Sequence, residues 1–522
     1  MKKNKKSIAA FVAALMLLAV LAGCVSNKTE TADNTGAPSF TAEPTEAATQ
    51  EPSEAPTEAP AEAPSEAPTE APTEAPTEPP TPEAMIPQLF TGHERTFLLY
   101  PDGALYGWGI NEYGQIGVGN CENVLAPELV MEDCTRVFIC PDNTFALKND
   151  GTLWGWGRNE YGSLGIESED IVSSPMLLRD DVAEVFDGWW STVFLTNDGR
   201  LLQAYDVEGA GGETRERITE VAAVHDRHVV KTNGDLYVLY YEDNVPIDKG
   251  VQDVYPYYEA TPFAYLKTNG ELWFCDCPES IYDPHNRLLG TDVVRAWNLT
   301  CDYDEEYDFL ALKNDGSLWE YFECNYKPCF EKKLMDGASD VVFAQTHYGY
   351  SSRIHTFVLT ETGELWYRGE FDAASGADKG GAGEDDIEIE DLVKVADNVA
   401  SVTTNGVGSY IIKNDGSLWG CGVVVKGFRT GGIGEGSYEE VWGFTKIMDN
   451  VASFAQLTRS WEEIDEDDEG GDEPNTLTVA STRYAVLEDG SVWAWGSGKF
   501  CSIGNGDTKR ADEPVKIMEP RF

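Results

Sequence analysis

One short unit recurs along the chain and dictates the kind of fold open to it: an apolar run, a turn ending in glycine, and a second run rich in tryptophan or tyrosine. The clearest copies are "LLYPDGALYGWGINEYGQIG" ending at Gly117, "ALKNDGTLWGWGRNEYGSLG" at Gly165, "ALKNDGSLWEYF" at Phe322, "IIKNDGSLWGCG" at Gly422 and "AVLEDGSVWAWG" at Gly496. Weaker copies lie between them, as "FLTNDGRLLQAY", "VVKTNGDLYVLY", "AYLKTNGELWFC" and "VLTETGELWYRG". The nine turn glycines are Gly103, Gly151, Gly199, Gly234, Gly270, Gly316, Gly363, Gly416 and Gly490, separated by 48, 48, 35, 36, 46, 47, 53 and 74 residues. Periods of that length belong to propeller blades or solenoid coils.

Within a unit the apolar residues alternate, as Phe145 with Leu147 and Trp154 with Trp156, which is the period of a strand. Asn-Asp-Gly or Thr-Asn-Gly between them suits a tight hairpin, because glycine accepts positive φ where the chain reverses. Two more short runs precede each hairpin. They are clearest in "LVKVADNVASV" (392–402) and "FTKIMDNVASF" (444–454), with Asp-Asn read as the break between two strands of one unit. Each unit is then a four-stranded antiparallel sheet, and no long helical periodicity follows residue 86. The chain ends in "PVKIM" (514–518), a first-strand segment without a following hairpin, whereas the first unit begins at "PQLFTGHERTFLLYPDG" without that strand. The expected fold is all-β: a β-propeller of four-stranded antiparallel blades, seven to nine in number with nine hairpin units counted. The C-terminal strand is expected to complete the N-terminal sheet, closing the ring and removing two edges.

Apolar strand, Asn-Asp-Gly, Thr/Ser-Leu-Trp-Gly-Trp-Gly and then Asn-Glu-Tyr-Gly-Gln/Ser-Leu/Ile-Gly: this order closely resembles the regulator of chromosome condensation repeat, whose members form β-propellers, commonly with seven blades. The resemblance spans about 87–522. It is strongest in the first two units and weakest from Gly199 to Glu390, where the Trp-Gly-Trp-Gly and Asn-Glu-Tyr-Gly segments are lost. The family's best-known eukaryotic activity, nucleotide exchange on a nuclear GTPase with chromatin contact, does not suit an exported acidic chain. Secreted bacterial propellers of the family, among them a β-lactamase-inhibitory protein, imply instead a ring face that holds another protein.

The N-terminus reads as an export signal. Lys2, Lys3, Lys5 and Lys6 precede an apolar run from Ile8 to Leu21, too short for a comfortable permanent span, and Leu21-Ala22-Gly23-Cys24 resembles a bacterial lipobox. Residues 1–24 are therefore expected to be a lipoprotein signal peptide, with Cys24 as the lipid attachment site carrying diacylglycerol. Residues 25–86 are expected to be a disordered stalk, because Pro, Thr, Glu, Ala and Ser bury almost no apolar area. At roughly 3.1 Å per residue in polyproline II, its Pro-rich stretch of about fifty-five residues, from Thr29 to about Glu83, reaches on the order of 150 Å. Residues 87–522 form the propeller domain.

A formal charge of -53 argues against nucleic acid, since phosphate binding needs Lys and Arg to displace counterions. The partners expected are the bacterial cell membrane through the lipid and an extracellular protein or glycan, for a monomeric, surface-displayed binding module. An inhibitor or regulator of a secreted enzyme is the narrower alternative. An extracellular propeller glycosidase or lyase is the alternative from another class. The glycine-rich stretches lack a phosphate-binding Gly-Lys-Ser/Thr, and no Gly-x-Ser-x-Gly nucleophile elbow stands on a strand-to-helix turn, so no catalytic residue or cofactor is assigned. His225-Asp226-Arg227-His228 has ligand-like residues without an evident third partner. "WEEIDEDDEGGDEPN" (461–475) offers Asp465, Asp467 and Glu469 as candidates for loose calcium binding, although Thr476 stands where an EF-hand places its bidentate Glu. Tyr255, Tyr257 and Tyr258 in "YPYYE" are candidate interaction aromatics, weighed against ordinary packing between blades. The decay of the repeat between Gly199 and Glu390 marks where a private function is expected.

Overall fold

A computed structural model describes residues 84–522, apart from 160–161, 167–169, 189–190, 205–213, 241–242, 257–261, 277–283, 302–305, 325–329, 349–350, 371–374, 376–387, 406–407, 423–440, 464–475 and 499–500. The expected signal, Cys24 and the expected stalk up to residue 83 lie outside the described residues, whereas the stalk's last three residues, Ala84, Met85 and Ile86, are described.

The nine hairpins build nine four-stranded antiparallel sheets, each from four consecutive strands, in a nine-bladed propeller. Blades 1 to 9 span 88–131, 134–179, 182–218, 221–248, 251–290, 293–336, 338–396, 399–448 and 451–518. First strands of adjacent blades meet one another, so they line the centre of the ring, while fourth strands such as Val124–Met131 are largely exposed.

Two expectations about strand assignment are corrected. Asp397-Asn398 and Asp449-Asn450 do not divide two strands of one unit; they link the fourth strand of one blade to the first strand of the next, Glu388–Ala396 to Val399–Thr404 and Val441–Met448 to Val451–Glu463. Most links turn on a left-handed second residue: Asp133, Glu220, Asp292, Asn398 and Asn450 all have φ between 58° and 63°. Asx residues tolerate that conformation, which is why the break was visible in the sequence. The hairpin glycine anchors the link, its carbonyl accepting from the first residue of the next blade, as in Val399 N–H to Gly363 O (2.9 Å) and Val451 N–H to Gly416 O (2.8 Å).

The second correction concerns closure. The C-terminal strand, Ala511–Met518, pairs with Val492–Gly496 of its own blade, and blade 1 supplies its own first strand, Gln88–Gly92. The ring closes instead by side-chain packing. Inside the array, the Trp156 indole N–H donates to Gln115 O (2.9 Å), and Gly117 approaches so closely that a Cβ there would lie 2.8 Å from that nitrogen. The seam repeats the joint: Trp108 donates to Ser502 O (3.0 Å), and a Cβ on Gly504 would stand 2.8 Å from the Trp108 indole nitrogen. "NEYGQIG" thus has a structural cause. Asn111 Oδ1 accepts from Ile116 N–H (2.8 Å) and its amide donates to Asn120 O and Glu122 O, pinning the loop that wedges into the next blade. Outside the seam the termini clasp: Met85 N–H meets Arg521 O at 2.8 Å, and the Arg521 guanidinium lies 4.6 Å from the Tyr100 ring centre and 2.9 Å from Asp102. A continuous apolar core runs across this seam through Trp108, Trp156, Tyr484 and Trp495, while blades 4 to 8 are filled largely by smaller separate clusters.

Candidate functional site

Turns joining first to second strands gather at one mouth of the ring and bring together groups far apart in sequence. Blade 1 contributes His93 and blade 2 Asp142; Asp187 of blade 3 and Asp226 of blade 4 complete the set. Beneath them the fully buried Arg95 reaches into blade 2, donating to Pro141 O (3.0 Å), Asn143 O (2.7 Å), Thr144 Oγ1 (3.2 Å) and, very closely, Cys140 O. With carbonyls as its main acceptors and water excluded, its pKa falls to about 10, chiefly through burial. Burial and then the Arg95 charge lower His93 to about 4, against the pull of Asp142. Asp187 opens to solvent on one side, yet the crowded mouth, then the Asp226 and Asp142 charges, raise it to about 6. The cluster makes a negative mouth with one carboxyl that takes a proton near neutrality. Its members come from separate blades, so no single stretch of sequence announces it.

The histidine stretch singled out in the sequence separates into two roles. His225 faces Asp253 at 3.2 Å, whereas His228 is fully buried, its ring 4.2 Å from that of Phe263. Tyr255 is half-buried and packs against the cluster containing Phe274 and Phe309; burial, followed by the Asp253 charge, pushes its hydroxyl above the ordinary phenol range. Packing is therefore the role visible for Tyr255. Tyr257, Tyr258, Asp465, Asp467 and Glu469 lie outside the described residues. Among the described residues no three His, Cys, Asp or Glu side chains are grouped to hold a metal ion, and Cys121, Cys134, Cys140 and Cys501 are free thiols.

A groove of about 590 Å³ lies on the outer rim between blades 6 and 7, within the arc where the repeat decays. Leu334, Met335, Trp366 and Leu392 form its floor, each packed against the buried cluster around Leu318 and Val358. Carboxylates stand along its edge: Asp336, held by Lys333 at 2.7 Å, Asp391, held by Lys332 at 3.4 Å, and Glu364, held by Lys394 at 3.2 Å. Glu361 stands beside them, exposed and with no ion-pair partner among the described residues. An apolar floor with an acidic edge suits a ligand that is part hydrocarbon and part cation. Sequence reasoning passed over this place because "VLTETGELWYRG" counted only as a weak copy of the repeat.

Segments 102–144, 150–195 and 489–522 match the model of the Regulator of chromosome condensation (RCC1) repeat; they fall in blades 1, 2, 3 and 9, which are neighbours across the seam. Solved structures similar to the chain include yeast RCC1 (Prp20) bound to Kap60, at 15% identity over 84% of this chain and 85% of that one with a TM-score of 0.40. Prp20p from Saccharomyces cerevisiae, described with its binding to Gsp1p and histones, is 14% identical over 81% and 87% with a TM-score of 0.41. Human WBSCR16 is 13% identical over 80% and 94% with a TM-score of 0.35. With nine sheets in sequence order and the repeated Trp-to-glycine joint, the protein is a nine-bladed β-propeller whose segments 102–144, 150–195 and 489–522 match RCC1 repeats.

Proposed function

We propose that this propeller is a binding module for an extracellular protein or glycan, held at a bacterial cell surface by a lipid on Cys24 and lifted from it by the stalk. The observation that carries the reading is the rim groove: it opens in the arc whose repeats have lost their signature residues while keeping their hairpins. Residues free of the joint's packing demands are available for recognition. An RCC1-repeat propeller is typically a scaffold for binding, which favours this reading over a glycosidase or lyase. The basic, apolar and small-residue order ending at Cys24 supports the anchor.

The test is capture of partners from surface extract by the propeller, beside a glycan array. A retained protein or glycan supports the proposal; polysaccharide turnover without a retained partner overturns it. For the anchor, Cys24→Ser should move the protein from the membrane fraction to the medium, and continued membrane association refutes the lipid attachment.

A further inference from the structure

Every hairpin places one residue three before its turn glycine beside another three after it, and the pair follows a rule around the ring. Where the later position is aromatic, a cation of this chain covers it. Lys148 lies 5.2 Å from the Trp154 ring centre, Lys231 5.6 Å from Tyr237, Lys267 4.8 Å from Trp273, Lys313 4.1 Å from Trp319 and Lys413 4.2 Å from Trp419. Blades 1 and 9 lack that lysine but bring a cation from the C-terminal segment, Arg521 at 5.7 Å from Tyr106 and Lys516 at 5.8 Å from Trp493. Blade 3 has Thr196 and Leu202 at the two positions, with neither cation nor aromatic.

Blade 7 breaks the rule. Thr360 replaces the lysine, Trp366 keeps the aromatic, and no cation covers that ring among the described residues. Lys394 is its cross-strand neighbour, but the ammonium is drawn to Glu364 (3.2 Å) and Asp397 (2.9 Å). The indole N–H is equally vacant. In the other tryptophan-bearing hairpins it donates to the side chain two residues earlier, at 2.9 Å to Thr152, 3.1 Å to Glu271, 2.8 Å to Ser317, 2.7 Å to Ser417 and 3.1 Å to Ser491. Trp366 Nε1 is buried without a partner among the described residues. The uncovered ring lines the groove together with Glu361, which has no ion-pair partner among the described residues, while the indole nitrogen is shut off from solvent.

We propose that this groove takes a lysine side chain of a partner polypeptide, its ammonium over Trp366 and towards Glu361. The inference deepens the binding-module reading, on which it rests. Its chemistry is the chain's own: an alkyl stem on apolar floor and a cation on an indole face. A small free amine would supply only the ammonium, and the apolar length of the floor, Leu334, Met335 and Leu392 beside Trp366, favours the stem of a lysine within a polypeptide.

The probe is the capped tripeptide Gly-Lys-Gly, titrated into the full-length chain in detergent micelles after 5-fluorotryptophan labelling. Trp366→Phe identifies the Trp366 resonance in the 19F spectrum. A saturable shift of that resonance is expected, weakened about tenfold when the lysine is acetylated. Thr360→Lys restores the residue found in five other blades, so it should fill the site from within and weaken the peptide about tenfold without lowering the unfolding midpoint. An unmoved Trp366 resonance, equal binding of the acetylated peptide, or undiminished binding by Thr360→Lys each overturns the inference. Equal affinity for free butylammonium overturns the polypeptide assignment. A partner captured from surface extract and retained by Thr360→Lys would leave the binding-module reading standing while refuting this groove.

Discussion

Replacing Trp108 by alanine tests whether the ring is closed by the same joint that connects its blades. The side chain is fully buried, its N–H bonds Ser502 O across the seam, and its ring meets Tyr484 edge-on with centroids 5.8 Å apart. Truncating a buried tryptophan costs about 3–5 kcal/mol through lost transfer energy and the cavity left behind. The Ser502 carbonyl keeps Tyr484 as a donor, so no further charge for an orphaned acceptor applies. Trp156→Ala, at the internal joint between blades 1 and 2, removes the same contacts and is the reference. In a closed ring the two variants lose about the same stability. In an open array Trp108 would sit on a terminal face, already partly hydrated, and its loss would cost about 1 kcal/mol. Urea unfolding followed by far-UV circular dichroism compares them, because that signal does not depend on the deleted fluorophores. A Trp108→Ala midpoint close to the unsubstituted protein, beside a strongly lowered Trp156→Ala midpoint, would refute the side-chain closure.

Three further expectations follow from the same contacts. Glu320, almost wholly buried in blade 6, contacts the Arg368 guanidinium of blade 7, and Glu320→Ala should cost about 3–5 kcal/mol because it strands a partly buried cation; Glu320→Leu with Arg368→Met should recover most of that in urea titrations. Because His93 is held at about 4 against about 6.5 in the unfolded chain, the unfolded state takes up its proton first as pH falls, so stability drops between about 6.5 and 4 by up to about 3 kcal/mol. His93→Gln should flatten that acid limb, and an unchanged slope refutes the assignment. Asp187 works in the opposite direction: raised to about 6, it favours the fold when protonated and loses that contribution as pH rises from about 3.8 through 6, so Asp187→Asn should stabilise the protein at pH 8 and leave it unchanged at pH 3.

Hairpins were legible because their cause is local. A turn glycine at positive φ and alternating residues on each side are written in adjacent positions, and all nine turn glycines have φ between 77° and 88°. Strand grouping was less legible, because the same Asp-Asn pair serves a hairpin inside a sheet or a link between sheets, and only the left-handed conformation at Asn398 and Asn450 with its bond to the preceding glycine decides which. Closure was misread for a related reason. The final "PVKIM" resembles the strand before a link, and that strand belongs to the preceding blade, not the following one. The mouth carboxylates are invisible to any linear reading, since Asp142, Asp187 and Asp226 interact only after three blades are stacked. The groove had a signal, Thr360 where five units place lysine, but that substitution gains meaning only once the lysine is seen to cover the tryptophan.

The repeat's uneven preservation follows from where the ring carries its strain of assembly. A blade inside the array is held by a covalent link of one or two residues to each neighbour, as Ala396 to Val399 illustrates, whereas blades 9 and 1 share no such link and depend on contacts alone. Those contacts are concentrated accordingly: the Trp108 joint, the Tyr484 hydroxyl bonded to Thr96 at 3.1 Å, the Met85 to Arg521 bond and the stacked Arg521. The wedge glycines and joint tryptophans are correspondingly fullest in blades 9, 1 and 2, the arc containing the continuous core. Linked blades can lose the joint residue without parting, as blade 3 does with Ala204 at the position of Trp156. Such freedom permits the outer face of blade 7 to give up its covering lysine, and the half-buried indole face left uncovered becomes a place where something other than this chain can bind.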